Sequence, residues 1–404
     1  IAAGAGTIKH KESAVGKHTY TLSCTASQGA IQSAPVVVDV AAELQDVHIK
    51  TDADLEAVAG VVDIAGSLTF DAGCSITSLD PLKDLASVGN DLDYQCAGVA
   101  SLTLPALAHV GGSLVVHGND PTLTDVHLDA LVDVGADVRL EDEPKLTTIT
   151  LANLATVGQD LVVSTYDYTS YPDAFDFDTC ELLANPLTLP FLSDFEAPEL
   201  TTIGRELVFE DAGELTNLTL PKLASTGASL ILAGVGSQAN EATTIALPSL
   251  TQTGTVFVVQ NQKLATLDLS ALQTTKADAA VDDYEAFPAV DPRDPLFHVY
   301  VTVIFGPCGP GVGAVHTGDI QICANGADQF DNSSLTTLKL DGLDTVGGTL
   351  VLTDLPQSSF DFPALESAFG IALVDDAALT SFTAPALTQL GDGFLDGSAT
   401  PLLT

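Results

Sequence analysis

The sequence contains no methionine and no tryptophan, and only 13 of its 404 residues are Lys or Arg, against 54 Asp or Glu. The formal net charge is −41. Affinity for nucleic acid and for anionic membranes comes from clustered Lys and Arg, so neither is an expected partner. Such an acidic surface suits high salt, a calcium-rich exterior or an extracellular matrix, and all three settings stay open.

Long apolar runs are also missing, and none approaches the roughly 20 residues that a membrane-spanning helix needs. We therefore expect no direct membrane insertion. The chain opens at Ile1 without a basic and then apolar leader, which we interpret as a processed or fragmentary mature chain. Hydrophobic residues still make up 46% of the sequence, which is enough apolar surface to exclude disorder.

The familiar signatures of catalysis are absent: there is no GxSxG elbow, HExxH, P-loop or dinucleotide fingerprint. We predict that the protein is not an enzyme. A glycan-cleaving β-helix is the enzymatic alternative, because acidic pairs on a solenoid face can hydrolyse glycans. Lyases that act on acidic sugars typically use Arg or Lys, which are scarce here, and the net charge would repel a polyanion.

What the sequence does contain is a repeat of about 23 residues, marked by an apolar residue or threonine followed by glycine. Successive glycines are 21 to 27 residues apart, except for two gaps of 46 and 93 residues that hold insertions or degenerate coils. The glycines are Gly89, Gly111, Gly135, Gly158, Gly204, Gly227, Gly254, Gly347, Gly370 and Gly391. Each requires either a positive φ or a close backbone approach at a corner.

Each repeat holds three short segments of alternating Leu, Val or Ile, separated by Gly, Asn, Asp or Pro, as in "PALAHVGGSLVVHGNDPTLTDVHL" from Pro105 to Leu128. This pattern predicts three short strands per coil, with Leu, Val and Ile pointing inward. One coil cannot bury its apolar side, so coils must stack into parallel sheets around a shared core. The predicted fold is all-β, a parallel β-solenoid over residues 43–404.

The repeat "L..L..VGGSLVV..N..LT.L.L" resembles the receptor L domain, the leucine-rich β-helical module of insulin- and EGF-receptor ectodomains. That module also occurs in fungal cell-wall organisation proteins and bacterial surface proteins. The resemblance covers roughly residues 55 to 404 and implies the solenoid fold and a place on the cell surface or outside the cell. Its members include receptors and wall-anchored structural proteins, so function does not follow from it.

Residues 1–42 lack the repeat. Their alternation predicts two or three strands, and "HTYTLSC" followed by "SAPVVVDV" is similar to the last strands of a bacterial immunoglobulin-like domain. We interpret them as a partial β segment of that kind. The following stretch, to about Leu55, predicts a short strand and a helix that cap the first coil.

The six cysteines have no zinc-ligand spacing and predict disulfides in an oxidising compartment. Cys74 and Cys96 fall at near-equivalent positions of adjacent coils, which favours a bridge between rungs. Cys308 and Cys323 are the second predicted pair, with 14 intervening residues. Cys24 and Cys180 are left over, and their pairing stays open.

Two insertions interrupt the repeat, at residues 164–191 and 276–332. Loops on a rigid solenoid commonly carry binding, and we predict contact residues there: Tyr166, Tyr168, Tyr171, Phe175, Phe177, Tyr284 and Phe287. Covering part of a sheet face is the competing interpretation. Carboxylates in the same loops supply hard oxygen ligands for calcium, and solvated acidic loops are the competing interpretation. The calcium candidates are Asp173, Asp176, Asp178, Asp282 and Asp283. Spacing argues against zinc at His109, His117 and His127.

These observations favour a secreted or cell-surface structural or adhesive protein that self-associates into filaments or a surface layer. Exposed ends of the sheets favour β-addition between copies. A receptor-like ectodomain is the alternative, with a protein or glycan ligand bound by the insertions and a sheet face. Asn217 and Asn332 fit N-glycosylation tripeptides.

Overall fold

The structure is a computed structural model. It describes residues 16–20, 23–26, 29–32, 36–40, 44–118, 120–164, 175–176, 181–182, 192–210, 212–236, 243–259, 261–276, 318–323, 334–374 and 376–396. The chain divides into two compact units, Ile1–Gln45 and Asp46–Thr404. Each unit is considered by itself.

The first unit contains two antiparallel strand pairs. Gly16–Tyr20 pairs with Val36–Val40, and Ser23–Ala26 pairs with Gly29–Gln32 in the sequence between them. The alternating pattern predicted two or three strands, and four occur among the described residues. Cys24 lies opposite Ile31 in the inner pair.

The second unit is a parallel β-solenoid of about 11 turns with a spacing of about 23 residues, counted over its described part. The predicted fold class is therefore confirmed. The solenoid begins with the expected strand, Val47–Thr51, followed by the helix Asp52–Ala57. The Asp54 carboxylate accepts the backbone N–H of Thr51 at 2.9 Å and caps this helix. A 3₁₀ turn spans Asp80–Leu82.

Three ladders of parallel strands run along the solenoid. Ladder A consists of two-residue strands that precede the glycine corner: Asp63–Ile64, Ser87–Val88, His109–Val110, Asp133–Val134, Thr156–Val157, Thr202–Ile203, Ser225–Thr226, Gln252–Thr253 and Thr274–Thr275. Ladder B follows the corner: Val47–Thr51, Leu68–Ser75, Leu92–Ala97, Leu114–Val116, Val138–Glu141, Leu161–Ser164, Leu207–Glu210, Ser229–Ala233, Thr255–Val259 and Ile320–Cys323.

Ladder C completes the coils from Ser101 onward. Its strands are Ser101–Thr103, Asp125–His127, Thr148–Thr150, Asp194–Glu196, Asn217–Thr219, Thr243–Ala246, Leu264–Asp268, Thr337–Lys339, Ser359–Asp361 and Ser381–Thr383. Near the C-terminal end, ladders A and B merge into single bulged strands, Thr345–Thr353, Ser367–Val374 and Gln389–Asp396. A separate antiparallel pair joins Phe175–Asp176 to Glu181–Leu182.

Alternation along each strand directs one set of side chains into the shared core. Leu92, Leu114 and Leu161 on ladder B and Leu102 and Ile149 on ladder C are fully buried. The expectation of only Leu, Val and Ile was too narrow, because the core also holds larger and more polar side chains: Phe70, Tyr94, Phe195, Phe209, Thr226, Thr253 and Thr275. The hydroxyls of these threonines are hydrogen-bonded, since Thr226 Oγ1 and Thr253 Oγ1 lie 2.6 Å apart and Thr275 Oγ1 donates to the Gly318 carbonyl oxygen at 2.6 Å.

Close backbone approach explains the glycine corner. A Cβ on Gly111, Gly135, Gly158, Gly204 or Gly227 would overlap the carbonyl oxygen of the preceding corner glycine. None of these residues has a positive φ. Of the two explanations left open by the sequence, close approach is therefore the correct one, and these corners line up along one edge of the solenoid.

Hydrogen bonds between side chains and the backbone link successive coils at the residue just before several ladder B strands. The Asp91 carboxylate accepts the N–H of Ser113 at 2.8 Å, and Asp137 accepts that of Asp160 at 3.0 Å. Asp160 in turn accepts the N–H of Glu206 at 3.0 Å. Each bond satisfies a donor at a corner where the strand ladder is interrupted.

The two long gaps in the repeat are now explained. Thr156–Val157 pairs directly with Thr202–Ile203, so the 46-residue gap is one coil carrying an insertion. The 93-residue gap contains an additional corner at Thr274–Thr275, which lacks the glycine. Ile320–Cys323 was assigned to the second insertion, but it is a rung of ladder B, paired with Thr255–Val259 on one side and with Thr345–Thr353 on the other.

Candidate binding faces

The outer face of ladder C is polar and open to solvent. Each rung presents two outward side chains, and these are mostly Thr, Ser, Asp or Asn, all half-buried or exposed. The pairs include Thr148 with Thr150, Asn217 with Thr219, and Ser381 with Thr383. Ladder C is divided into three sheets, and within each sheet the paired rungs repeat about every 4.8 Å, with one register shift between Thr243 and Thr244. We call this surface the ladder C face.

Neighbouring coils interact across the ladder C face. The Asn217 amide donates to the carboxylates of Asp194 and Glu196 at 3.3 Å each. The Lys339 ammonium lies 2.6 Å from the Asp268 carboxylate. Partial burial alone would raise the pKa of Asp268, but the hydrogen bonds from Lys339 and Ser270 outweigh it and lower that pKa. The same contact with Asp268 raises the pKa of Lys339. These contacts hold the outward side chains in fixed positions.

The outer face of ladder B is different, because it becomes apolar and buried. Val162, Val208, Ile231, Phe257 and Val351 point away from the solenoid core, yet each is at most 4% exposed. Their strands therefore bury both faces. We call this row the buried outer row.

At its N-terminal side, the outer face of ladder B carries charged pairs. His117 Nε2 lies 2.9 Å from Asp93 Oδ1, and Arg139 Nη2 lies 2.8 Å from Glu141 Oε1. Arg139 and Glu141 are almost fully buried, so this ion pair is shielded from the screening that weakens surface pairs. On the next coil, the Ser164 hydroxyl donates to the Glu210 carboxylate at 3.4 Å.

The two predicted insertions leave the solenoid at different points, one at the end of a ladder B strand and the other at the corner between ladders A and B. The first leaves at Ser164, at the end of a ladder B strand. The second leaves after Lys276 and the chain returns at Gly318, just ahead of the strand Ile320–Cys323. Most of the predicted contact and calcium residues lie in these segments and outside the described residues: Tyr166, Tyr168, Tyr171, Asp173, Phe177, Asp178, Asp282, Asp283, Tyr284 and Phe287.

Phe175 and Asp176 form a two-residue strand, which is all that the structure describes of those candidates. Within the described part of the chain, no group of three or more His, Cys, Asp or Glu side chains is arranged to hold a metal ion. The histidines His109, His117 and His127 lie on three different sides of one coil, and the first pairs with Asp133 at 2.6 Å.

The predicted bridge between Cys74 and Cys96 is present, with the two Cα atoms 4.6 Å apart. It joins two consecutive rungs of ladder B. Cys323 ends the strand Ile320–Cys323, and its predicted partner Cys308 lies outside the described residues, as does Cys180. The second bridge therefore stays a prediction.

One buried polar cluster was not predicted. Tyr94, Asp120 and Glu143 come from three successive coils and meet where ladder B turns toward ladder C; they are 0%, 4% and 0% exposed. The repeated "DPTL" and "EPKL" segments at Asp120 and Glu143 were a usable signal, because they place an acid at the same turn of two coils. An acidic residue in a turn is normally expected to be exposed to solvent, so the sequence did not indicate that these two are buried.

Asn217 of the first glycosylation tripeptide lies within a ladder C strand and is engaged with Asp194 and Glu196. Asn332 lies outside the described residues. In the part of the chain that the structure covers, no helix is long and apolar enough to cross a bilayer.

No protein-family model matches the chain, and no curated protein or solved structure is significantly similar to it. The solenoid is thus established by its own geometry. Membership of the receptor L-domain family and the immunoglobulin-like nature of the first unit remain resemblances in sequence pattern.

Proposed function

We propose that the protein is a non-enzymatic structural or adhesive component of the cell surface or extracellular matrix that self-associates. The observation that carries this proposal is the ladder C face, whose outward polar side chains lie on three short parallel sheets, the first of which is held in register over five strands. A rigid, repetitive surface makes many weak contacts at once and loses little conformational entropy on binding. That suits adhesion better than the capture of one small molecule.

The charge balance sets the conditions for association. With a formal net charge of −41, copies repel one another at low salt. Added salt screens this repulsion, and calcium neutralises carboxylates directly. Association should therefore increase with ionic strength and increase further with calcium.

Sedimentation velocity and negative-stain microscopy across salt and calcium concentrations test the proposal. Wild-type protein should form oligomers or filaments. A double substitution on the ladder C face, Thr150→Arg with Thr219→Arg, should reduce assembly. The matched control is Thr156→Arg with Thr202→Arg on the exposed side of ladder A, which adds the same charge elsewhere. A wild-type protein that stays monomeric under every condition would contradict self-association.

A receptor-like ectodomain is the second candidate function. It is favoured by the two insertions, which leave a rigid scaffold at Ser164 and after Lys276, because loops on a rigid scaffold commonly carry binding. Removing residues 165–191 and joining the ends by a short Gly/Ser linker separates the two functions. Loss of binding to a surface protein or glycan with assembly intact supports the receptor, whereas loss of assembly with binding unchanged contradicts it.

A further inference from the structure

The cluster formed by Tyr94, Asp120 and Glu143 links three consecutive coils inside the solenoid. Tyr94 belongs to the strand Leu92–Ala97, Asp120 follows Leu114–Val116, and Glu143 follows Val138–Glu141. Two carboxyl groups and a phenol are thereby removed from water at one turn. Burial of an ionised carboxylate is costly unless its oxygens are paired or protonated.

Hydrogen bonds account for only part of this cluster. Glu143 Oε2 accepts the backbone N–H of Asp120 at 3.1 Å. Asp120 Oδ1 accepts the N–H of Thr122 at 2.8 Å and its hydroxyl at 2.6 Å. The remaining oxygens, Tyr94 Oη, Asp120 Oδ2 and Glu143 Oε1, are buried without a hydrogen-bond partner.

The charges around the cluster are predominantly negative. Burial, and then the charge of Asp120, raise the pKa of Glu143 to about 9; Asp142 adds to the rise, and the Asp120 N–H and His117 oppose it. Burial and the charges of Asp120 and Glu143 also raise the pKa of Tyr94, which places the three groups within electrostatic reach of one another. Three cations lie close in sequence to the cluster: His117, which pairs with Asp93; Arg139, which pairs with Glu141; and Lys145.

We propose that Glu143 holds a proton at neutral pH and acts, with Asp120 and Tyr94, as a proton-dependent lock between three coils. A proton on Glu143 removes one of the two negative charges and adds one hydrogen-bond donor to the cluster. The cluster then has two O–H donors, from Glu143 and Tyr94, beside the Asp120 carboxyl group. With both carboxylates ionised, the cluster would hold two buried negative charges and a single donor.

The lock makes the stability of the fold depend on pH with a defined sign. The unfolded chain releases the Glu143 proton near its ordinary pKa of 4.5, whereas the folded chain keeps it up to about 9. Between these values the folded state binds one more proton, so stability falls as pH rises. The unfolding equilibrium constant should increase by about tenfold per pH unit from this group alone, and the contribution should level off above the folded pKa.

Urea unfolding of the wild type and of Glu143→Gln from about pH 5 to 10 tests the lock. Glutamine keeps a donor at this position but does not titrate, so the variant should lose the pH dependence worth about one proton. Glu199→Gln is the control, because Glu199 is an exposed acid paired with Lys222 and should leave the slope unchanged. An unchanged slope in Glu143→Gln overturns the proposal.

A second measurement needs no variant. In wild-type protein labelled with ¹³C at glutamate and aspartate carboxyl carbons, one glutamate should remain protonated at neutral pH and titrate near 9. If every glutamate carbon titrates around the ordinary pKa of about 4.5, Glu143 does not hold the proposed proton.

Discussion

Gly158 sits directly over Gly135, one coil away, so that a Cβ on Gly158 would overlap the Gly135 carbonyl oxygen. The same relationship links Gly111 to Gly89 and Gly204 to Gly158. Glycine therefore recurs in the sequence because the backbones of successive coils are in contact at this corner. The close approach, and not a positive φ, excludes a side chain at these positions.

Gly158→Ala should destabilise the solenoid by about 3 kcal/mol or more, because backbone on both sides must move to admit the methyl group. Gly370→Ala is the matched control. A Cβ there would lie 3.0 Å from the Thr349 hydroxyl oxygen, which is a side-chain atom and not backbone. Urea unfolding of both variants measures the difference, and equal costs would refute the close-approach explanation.

Replacing Cys74 and Cys96 together with alanine should lower the free energy of unfolding by about 3 kcal/mol, since the bridge closes a loop of 22 residues. Both sulfurs belong to buried residues, so thiol-reactive reagents should reach them only after reduction and unfolding. Thermal unfolding with and without reductant measures the effect. A wild-type midpoint that does not respond to reductant would show that the bridge adds no stability.

Val208→Asn should cost about 2 kcal/mol or more, because it places an amide in the buried outer row. Thr219→Asn, on the open ladder C face of the same coil, should change stability by less than about 0.5 kcal/mol. Comparing the two by urea unfolding tests whether ladder B is covered in solution. A tolerated Val208→Asn would mean that the row is open to water.

Strong, regular patterns made the fold predictable. The alternation of Leu, Val and Ile around recurring glycines gave three strands per coil and their stacking, and the equivalent positions of Cys74 and Cys96 gave the bridge. The number of coils between Gly158 and Gly204 could not be predicted from the sequence. A length of 46 residues equals two repeats whether it holds two coils or one coil with an insertion, and only strand pairing distinguishes them.

The candidate sites were harder to predict for a related reason. The aromatic and acidic loops were predicted as sites because they interrupt the repeat. The ladder C face follows the repeat, so its polar residues could not be distinguished from ordinary alternation along a strand. The cluster of Tyr94, Asp120 and Glu143 depends on three residues 23 to 26 positions apart in sequence that meet only when coils stack. Ile320–Cys323 was missed because its rung is flanked by irregular sequence on both sides.

Engineered disulfides between facing rungs test the stacking of coils most directly. Thr156 and Thr202 are 46 residues apart but occupy adjacent rungs of ladder A, and Thr202 and Ser225 do so at the ordinary spacing. Neighbouring parallel strands, about 4.8 Å apart, are within the Cα separation that a disulfide tolerates. Under mild oxidation and peptide mapping, both cysteine pairs should cross-link, whereas Thr156→Cys with Ser225→Cys, two rungs apart, should not. Cross-linking of Thr156→Cys with Ser225→Cys, but not of Thr156→Cys with Thr202→Cys, would contradict the stacked solenoid.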